Sequence, residues 1–522
     1  MNPVAEVRRI VNWTRGVAQR KLLLPRQAEF FDRDWYLEQY PDVAEAGMDP
    51  WTHFHLHGRD EGRFAHSDHL EMWFSDRHFE QVRSLFLAGD GTLSSRDRDY
   101  LQWLLARRFA LDRRWSEVLA LYRPGDLLRQ ARGASALRHF PAVLYADALR
   151  HLGLENESTR AIEWLKNTYS ETTDSRLLEA NHRLAFGEGE GGCAGWLEVI
   201  NAMYAEHDRQ GIMLSAGKSP PMDRLVPAQP LAVRSDVTDQ SSRPLISVLV
   251  PAYNAAGTIG SALSSIQTQT WREFEIIVVD DGSVDDTVDV VREAAMTDDR
   301  VRLERLPAQG GAYAARNCGL ELARGEYITV HDADDWSHPQ KLEMQMQHLQ
   351  ANPSLKGCVS SWVRMQSDLF IGGWDHPGAW AGWVHMNNSS FLFSREVFET
   401  LGYWDEVACG ADTEYIDRVR AAWGASAVGE VVPHLPLSFA RIAQGSLTQA
   451  SQTHILTMLK GPRMDYHKAY MRWHRHARAP EDLYRQRGQR NRPFLVPDAM
   501  CLRRSTQQAD TPGDHDDSDI GK

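Results

Sequence analysis

Between residues 244 and 335, uninterrupted apolar runs alternate with segments that have helical periodicity. Apolar runs at Leu245–Val250, Glu275–Val279 and Tyr327–Val330 predict buried strands. Buried strands that alternate with helices form a parallel sheet, because parallel neighbours need a long crossover connection. The alternation therefore predicts an α/β domain with a doubly wound, mainly parallel sheet. The connecting elements are predicted as helices at Thr258–Gln269, Val284–Ala295 and Ala312–Ala323, and as a short strand at Val301–Leu306.

The three apolar runs all end in polar or small residues, at Pro251–Asn254, Asp280–Ser283 and Asp332–Asp335. Ligands of such sheets bind beyond the carboxyl ends of the strands. The carboxylates within Asp332–Asp335 repel one another unless a cation or a basic group lies between them. Oxygen ligands at this spacing suit Mg²⁺ or Mn²⁺, which in turn bridges a diphosphate. The alternative is an acidic turn that starts a helix near Pro339, but it leaves the alignment of all three clusters unexplained.

The composition excludes several classes of protein. A net charge of −13 argues against a nucleic-acid binder that relies on phosphate neutralisation. No apolar run approaches the roughly 20 residues that span a bilayer. The five cysteines are scattered and include no CxxC pair, so they fit neither a disulfide framework nor a zinc site. Free thiols indicate a reducing compartment, and we therefore expect a cytoplasmic protein.

The chain outside the α/β region is predicted to be mainly helical. Residues 75–216 show a 3.6-residue period and resemble degenerate tetratricopeptide-like repeats, which would dock a partner. Basic residues concentrate near both ends of the chain. There a helix either rests on the inner face of the membrane or is simply solvated. The predicted segments are 1–29 basic and amphipathic, 30–74 small helical module, 75–216 helical repeats, 217–243 linker, 244–455 α/β domain, 456–500 basic helical extension and 501–522 acidic disordered tail.

Five stretches of the α/β region match the motifs of one family, in its order and at its spacing. They are Ile246–Asn254, Gln267–Thr270, Val279–Ser283, Ala315–Asn317 and Gly325–Asp335. On these stretches the region resembles the catalytic core of family 2 glycosyltransferases, which invert the anomeric centre and have the GT-A fold. Residues 30–64 resemble a small helical module that recurs beside bacterial glycosyltransferase domains. The resemblance implies transfer of a sugar from a nucleotide-diphosphate donor to a hydroxyl of a glycan or lipid-linked acceptor, in surface polysaccharide biosynthesis.

The resemblance also implies roles on the donor side. Tyr253 and Asp281 would hold the base of a UDP-, GDP- or dTDP-sugar, and the region of Pro251 would form a wall beside it. Asp332 would contact the ribose. Asp334 would ligate the Mn²⁺ or Mg²⁺ ion that neutralises the leaving diphosphate.

Two further residues receive roles on the same basis. Arg316 would help to position the diphosphate, or would equally well pair with an acid. Inversion needs one carboxylate to take the proton of the acceptor hydroxyl. Asp412 aligns with that catalytic base, although Ala411 stands where the family usually has a glutamate. Glu414 lies about 200° further around a helix and is not aligned. The alternative for Asp412 is an ordinary carboxylate at a helix N-terminus.

The segment after the base resembles the flexible lid of the family, where Arg441 and Ser446 would contact the diphosphate. Trp374, Trp380 and Trp383 fall between the metal motif and the base, where acceptors bind in this fold. Flat indoles stack well on sugar faces, so Trp380 and Trp383 are predicted acceptor contacts. Local core packing is the alternative for all of these tryptophans.

Two rival functions compete with the transferase. A non-catalytic GT-A-like scaffold would bind nucleotide without needing a base, so the joint presence of Asp281, Asp334 and Asp412 argues against it. A nucleotidyltransferase normally has a glycine-rich, basic loop after its first strand. Here that position reads Pro251-Ala-Tyr-Asn254. An inverting glycosyltransferase is therefore the preferred hypothesis.

Overall fold

The computed structural model divides the chain into two compact units. The first comprises Met1–Met213 and Val363–His385, and the second comprises Leu214–Trp362 and Met386–Lys522. The predicted basic segment before residue 29, the later half of the predicted linker and the acidic tail after residue 502 lie outside the described residues. The structure describes residues 29–59, 61–88, 93–122, 125–132, 139–169, 171–229, 243–374, 382–442, 452–489 and 491–502.

The first unit is helical in its N-terminal part, which confirms the prediction of an all-helical region before the sheet. A π-helical turn at Phe54–Gly58 continues the third helix. No described helix has the length and apolar character that a bilayer span requires. The described helices are α1 Arg33–Gln39, α2 Pro41–Glu45, α3 Pro50–His53, α4 Ser67–Glu71, α5 Asp76–Ala88, α6 Ser95–Leu111, α7 Trp115–Leu121, α8 Asp126–Arg132, α9 Phe140–His151, α10 Glu155–Thr168, α11 Thr173–Phe186 and α12 Glu190–Ala205.

Side chains at the helix starts account for several of these boundaries. Asp32 accepts a hydrogen bond from the main-chain N–H of Trp35 at the start of α1. Thr172 and Ser175 form a reciprocal capping box at the start of α11. Such caps satisfy N–H groups that have no partner within the helix, and each typically stabilises its helix by about 1 kcal/mol.

The segment Val363–His385 belongs to the helical unit although it is distant from the N-terminal helices in the sequence. The Asn181 side chain exchanges two hydrogen bonds with the main chain of Ile371. The indole N–H of Trp374 donates to Asp147 Oδ2 at 2.9 Å. The side chains of Asn181 and Asp147 are both buried in the interior of this unit. The N-terminal helices and this returning segment therefore share one core.

The second unit is built on an eight-stranded sheet with the order β5-β4-β3-β6-β9-β8-β10-β7. Strand β3 pairs in parallel with β4 and β6, and β4 pairs in parallel with β5. Antiparallel pairs join β6 to β9 and β10 to β7. Strands β1 and β2 form a separate two-stranded sheet. The described strands of the whole chain are β1 Ile212–Leu214, β2 Leu225–Pro227, β3 Ile246–Ala252, β4 Phe274–Asp280, β5 Val301–Arg305, β6 Tyr327–Val330, β7 Trp336–Ser337, β8 Gly357–Met365, β9 Val384–Ser394 and β10 Val428–Arg441.

Helices of the second unit pack against this sheet and enclose a core that includes Leu249, Ile277, Phe393 and Tyr415. The predicted fold class, a mainly parallel sheet with packed helices of the GT-A type, is therefore confirmed. The helices are α13 Ile259–Gln267, α14 Thr287–Thr297, α15 Ala312–Leu322, α16 Lys341–Ala351, α17 Arg395–Leu401, α18 Ala411–Trp423 and α19 Pro462–His476.

The predicted elements differ from the observed ones mainly at their ends. The predicted strand Tyr327–Val330 has the same bounds as β6. The predicted helix Val284–Ala295 begins later, at Thr287, because Asp285 Oδ1 accepts the N–H of Thr287 at 3.1 Å and closes a turn before α14. The antiparallel strands β8 to β10 were not predicted from the sequence.

The predicted linker 217–243 is ordered in its first half. Met222 is fully buried in a 3-10 turn at Pro221–Arg224, and β2 follows directly. Trp336 Nε1 donates to Leu225 O at 3.0 Å. The apolar side chains of Met222 and Leu225 are buried in the second unit. The prediction of a plain linker is therefore wrong for residues 217–229.

The basic C-terminal extension packs on α18. Tyr466, Tyr470 and His474 repeat every four residues on α19 and are buried. Arg485 Nη2 donates to Asp405 Oδ1 at 2.7 Å, and Arg492 Nε donates to the same oxygen at 2.8 Å. Part of the positive charge that the sequence displays is therefore neutralised inside the fold.

Candidate active site

The three polar clusters predicted from the sequence meet at one edge of the sheet. Strands β3, β4 and β6 are parallel neighbours, so their carboxyl ends lie side by side. Asn254, in the turn after β3, has a φ of 47° and donates its N–H to Ser283 Oγ at 2.9 Å. Its side-chain oxygen accepts the N–H of Val284 at 2.9 Å. The first two clusters are thus tied together by Asn254.

Tyr253 and Pro251 lie at this edge. Tyr253 is 47% exposed, although tyrosine rings are usually more buried. Pro251 is half-buried and is the next-to-last residue of β3. An exposed ring beside a rigid strand end is a surface on which a planar base can stack. The placement therefore fits the roles that the sequence predicts for both residues.

Asp281 is 3% exposed and holds a glycine loop. Its two carboxylate oxygens accept the N–H groups of Gly310 and Gly311 at 2.6 and 2.8 Å. Burial raises the pKa of Asp281, and the two N–H groups oppose that rise. Each oxygen keeps a second lone pair for a ligand donor. Asp281 thus fixes the loop before α15, a function that the sequence did not reveal.

Arg316 pairs with Asp332, which is the acid-pairing alternative raised by the sequence. Arg316 Nη2 donates to Asp332 Oδ1 at 2.8 Å and lies 3.4 Å from Ser389 Oγ. The guanidinium is buried, and its Nε and Nη1 have no hydrogen-bond partner among the described residues. Burial alone would lower the pKa of Arg316. The negative charge of Asp332 and of the neighbouring acids outweighs this effect, so the pKa of Arg316 is raised and its positive charge is retained. Its unpartnered N–H groups can still bind an anionic ligand.

Asp412 is the second residue of α18, and the helix is preceded by Gly410, whose φ is 83°. Asp412 Oδ1 accepts the phenol O–H of Tyr313 at 3.1 Å and the N–H of Thr413 at 2.9 Å. The Thr413 hydroxyl in turn accepts a hydrogen bond from Asn388 Nδ2 at 2.8 Å. Asp412 is therefore held in place by α15, by β9 and by its own helix.

Glu414, the other carboxylate of this turn, is fully buried and engaged. It forms a bidentate pair with Arg418 at 2.9 and 2.7 Å, and His474 Nε2 lies 3.0 Å from Glu414 Oε1. Burial would raise the pKa of Glu414, but Arg418 and His474 outweigh it and lower the pKa to about 2. Glu414 is structural, whereas Asp412 is half-buried at the helix start.

The lid prediction is tested at Arg441 alone, because Ser446 lies outside the described residues. Arg441 is 9% exposed, its N–H donates to Asp335 Oδ1 at 3.1 Å, and its Nε donates to Asp334 O at 3.1 Å. Its Nη2 pairs with Asp223. Arg441 therefore anchors the acidic turn at the end of β6 in this conformation and does not project as a mobile lid.

The acidic turn suits a divalent cation that is shared with a diphosphate. Asp332 is paired with Arg316 and Asp335 accepts from Arg441, while Asp334 is half-buried in the same turn. The described residues contain no cluster of three or more metal-ligating side chains. Mg²⁺ and Mn²⁺ are usually held by one or two carboxylates plus substrate phosphates, and the turn fits that pattern.

The tryptophan prediction is wrong for Trp383. Trp383 is 1% exposed, its ring centroid lies 5.5 Å from that of Trp374, and its main-chain N–H donates to Asp174 Oδ1 at 2.7 Å. Both indoles are core side chains of the helical unit, because returning aromatic residues bury large apolar area there. Trp380 lies outside the described residues.

Several functional candidates were not found from the sequence. Tyr313 contacts Asp412, and Asp223 from the predicted linker contacts Arg441. Lys341, which is 3% exposed, lies behind the acidic turn, where burial lowers its pKa to about 8 although Asp335 and Asp332 oppose that shift. A lysine two residues after Pro339 was a visible signal, whereas the contacts of Tyr313 depend on the tertiary fold.

The chain is similar to known glycosyltransferases over part of its length. Residues 247–377 match the family described as Glycosyl transferase family 2. An uncharacterized glycosyltransferase of Haemophilus influenzae is 39% identical over 109 residues, which are 21% of this chain and 44% of that protein. The Escherichia coli protein named UDP-Glc:alpha-D-GlcNAc-diphosphoundecaprenol beta-1,3-glucosyltransferase WfaP is 36% identical over 106 residues, 20% of this chain and 41% of that protein.

One solved structure is also similar. The mannosyltransferase PcManGT of Pyrobaculum calidifontis, solved with GDP-Man and Mn²⁺, is 27% identical, with 37% of this chain and 59% of that chain covered and a TM-score of 0.28.

The chain thus contains a glycosyl transferase family 2 domain, preceded by a helical region. The matched stretch spans less than half the length of the two curated relatives.

Proposed function

We propose that this chain is an inverting glycosyltransferase that moves a sugar from a nucleotide-diphosphate donor to a hydroxyl group of a glycan or lipid-linked acceptor. One observation carries the proposal. Arg316 touches Asp332 on the donor side, and its guanidinium carbon lies 5.0 Å from the ring centroid of Tyr313, which donates to Asp412. A cation with unpartnered donors thus lies between a donor-side carboxylate and a base.

The donor would bind at the edge formed by β3, β4 and β6. Tyr253 would stack on the base, Pro251 would line the wall, and Asp281 and its glycine loop would accept and donate hydrogen bonds at the base edge. Asp332 would bind the ribose while Arg316 holds it. A UDP-sugar is the favoured donor, because the relative WfaP is named for UDP-Glc.

The reaction would be a single displacement. The acceptor hydroxyl gives its proton to Asp412 Oδ2, and its oxygen forms a bond to the anomeric carbon from the face opposite the diphosphate. The bond from the anomeric carbon to the diphosphate oxygen breaks, and the diphosphate leaves with the electron pair. The Nε and Nη1 groups of Arg316 would donate hydrogen bonds to the negatively charged diphosphate as it leaves.

Asp334 would hold the divalent metal, Mn²⁺ or Mg²⁺, together with the diphosphate. When bound, the ion supplies positive charge that stabilises the leaving group. Arg441 and Asp335 keep the main chain of this turn in place, so Asp334 is presented by a rigid segment.

The acceptor is proposed to be membrane-associated. Lys468, Arg472 and Arg475 are exposed along one stripe of α19, opposite the buried tyrosines. No ion pair forms at these three residues within the described part of the chain. Each such cation contributes about 1 kcal/mol near an anionic leaflet, so the stripe supports peripheral contact with the cytoplasmic membrane, where a lipid-linked acceptor for surface polysaccharide would lie. The helical unit would dock a partner or the acceptor.

Nucleotide binding tests the donor site. UDP, GDP and dTDP are titrated by calorimetry into the wild type and Asp334→Ala, each with Mn²⁺ and with EDTA. We expect metal-dependent binding of one nucleotide that Asp334→Ala loses. Failure of all three nucleotides to bind would overturn the assignment of Asp281 and Asp334 and favour a non-catalytic scaffold.

A further inference from the structure

Tyr313 and Asp412 lie 99 residues apart in the sequence and meet through their functional groups. The phenol oxygen lies 3.1 Å from Asp412 Oδ1 and 3.4 Å from the main-chain N–H nitrogen of Asp412. Tyr313 thus contacts both the carboxylate and the backbone of the first turn of α18. No element of the donor site described above requires this contact.

The phenol of Tyr313 remains protonated. Tyr313 is 5% exposed, and burial, reinforced by the negative charge of Asp412, raises its pKa well above the ordinary value. A buried phenol beside a carboxylate acts as a fixed O–H donor. The guanidinium of Arg316 lies over its ring and restrains the side chain from the other side.

The two oxygens of Asp412 are therefore not equivalent. Oδ1 receives both the Tyr313 O–H and the Thr413 N–H, whereas no described residue donates a hydrogen bond to Oδ2. A carboxylate anchored through one oxygen presents the other in a fixed direction. A base that must meet an acceptor hydroxyl within hydrogen-bond distance gains from this orientation.

We propose that Tyr313 is a positioning residue for the reaction, which fixes the Asp412 carboxylate so that Oδ2 accepts the proton of the acceptor hydroxyl. The inference rests on the proposed function, because it assigns Tyr313 a role through Asp412.

Other groups also face Asp412. Arg316 lies on α15 with Tyr313, Cys409 precedes α18, and Tyr470 projects from α19; the charge of Asp412 acts on each of them. Burial raises the pKa of both Cys409 and Tyr470, so both are neutral near pH 7. Of these groups, Arg316 alone carries a charge in that range, and Tyr313→Phe leaves it in place.

The test measures kcat and KM for hydrolysis of the donor selected by the nucleotide titration, from a panel of UDP-glucose, UDP-N-acetylglucosamine, GDP-mannose and dTDP-glucose, at pH 7. The variants are Tyr313→Phe, Asp412→Asn and the control Tyr415→Phe. Tyr415 is a fully buried tyrosine on α18 whose hydroxyl donates to Gly402 O at 3.1 Å, away from Asp412.

We expect Tyr313→Phe to lower kcat about tenfold with KM for the donor nearly unchanged, since a hydrogen bond to a charged group is lost. Tyr415→Phe should keep the kcat and KM of the wild type. An equal loss of kcat in both tyrosine variants, or an unchanged kcat in Tyr313→Phe while Asp412→Asn is inactive, would overturn the inference alone. Wild-type activity in Asp412→Asn, or no hydrolysis of any donor, would overturn the proposed function.

Discussion

Arg316 Nη2 donates a hydrogen bond to Asp332 Oδ1 at 2.8 Å, in a setting where the arginine side chain is almost completely buried. The pair joins the first turns of α15 to the end of β6. It leaves Arg316 Nε and Nη1 without partners among the described residues. A buried guanidinium with spare donors is costly unless a ligand satisfies them. Two buried donors of Arg316 are therefore available for the proposed contact with the diphosphate.

Arg316→Lys is expected to weaken UDP binding by at least tenfold. Lysine keeps the charge but loses the planar fork that serves Asp332 and the diphosphate together. The measurement is calorimetric titration with UDP and Mn²⁺. Arg302→Lys is the control, because Arg302 pairs with Glu275 and its side chain is 41% exposed. Equal affinity in Arg316→Lys and the wild type would contradict a diphosphate contact.

The Arg316–Asp332 pair should make the stability of the fold depend on pH. Burial would raise the pKa of Asp332, but Arg316 outweighs it and holds the pKa below the ordinary range. The pair therefore stabilises the fold above the ordinary carboxylate pKa, and this stabilisation is lost as the pH falls through the lowered value. Urea unfolding from pH 7 down to pH 3 should show a smaller acid loss in Asp332→Asn than in the wild type.

Removal of the Asp412 charge should lower activity, whereas removal of the Glu414 charge should lower stability. Asp412→Asn is expected to reduce transfer at least a thousandfold with little change in Tm, because its carboxylate is the proposed base. Glu414→Gln is expected to cost about 3 kcal/mol of stability, because it leaves Arg418 buried and unpaired. Thermal unfolding and donor turnover per folded molecule separate the two effects. Equal turnover losses in both variants would count against Asp412 as the base.

Asp147 and Trp374 should set the stability of the helical unit. Burial opposes ionisation of Asp147, but Arg150 and His151 outweigh it and lower the pKa to about 2. Its contribution is present above the ordinary aspartate pKa and is lost as the pH falls through about 2, and it amounts to about 2 kcal/mol at pH 7.

Hydrogen exchange tests this contact. Asp147→Asn and Trp374→Phe should speed amide exchange in Val363–Trp374, where the Ile371 N–H donates to Asn181 Oδ1 at 2.9 Å. Asp76→Asn is the control, because the Asp76 side chain is 92% exposed in its pair with Arg108. Unchanged exchange in both core variants would show that the returning segment is held by other contacts.

Gly311→Ala should impair the donor site through the backbone. Gly311 has a φ of 86°, and an added Cβ would lie 2.5 Å from a Leu502 methyl carbon. The substitution should displace the loop that Asp281 holds and lower UDP affinity about tenfold, with a stability cost of about 1–2 kcal/mol. Gly257→Ala, which meets no atom within 4 Å, is the control. Unaltered UDP affinity in Gly311→Ala would separate this loop from the donor site.

The sequence predicted the parallel half of the sheet because its strands are apolar on both faces and end in recognisable clusters. Tyr327–Val330 was located without error. Strand β10 was missed because its outer residues, such as His434, are polar and its pattern lacks a continuous apolar run. Trp383 was misassigned because a side chain's neighbours, not its sequence position, decide whether an indole packs in a core or faces a ligand.

Carboxylates of the site were found because each follows a strand or starts a helix, where sequence and geometry coincide. The partners of those carboxylates were not. Tyr313 reaches Asp412 across the fold, and Asp223 reaches Arg441 from a stretch with no periodicity. Such contacts depend on how elements pack, which the local pattern does not encode.

The most direct measurement follows the anomeric configuration of the first product by proton NMR. The enzyme is incubated with Mn²⁺ and UDP-α-glucose, or with the α-linked sugar of whichever nucleotide binds, and the released sugar is observed before it mutarotates. The account predicts that the β-anomer appears first, and that Asp412→Asn binds the nucleotide normally but releases no sugar. Initial release of the α-anomer, or undiminished release by Asp412→Asn, would contradict an inverting reaction with Asp412 as its base.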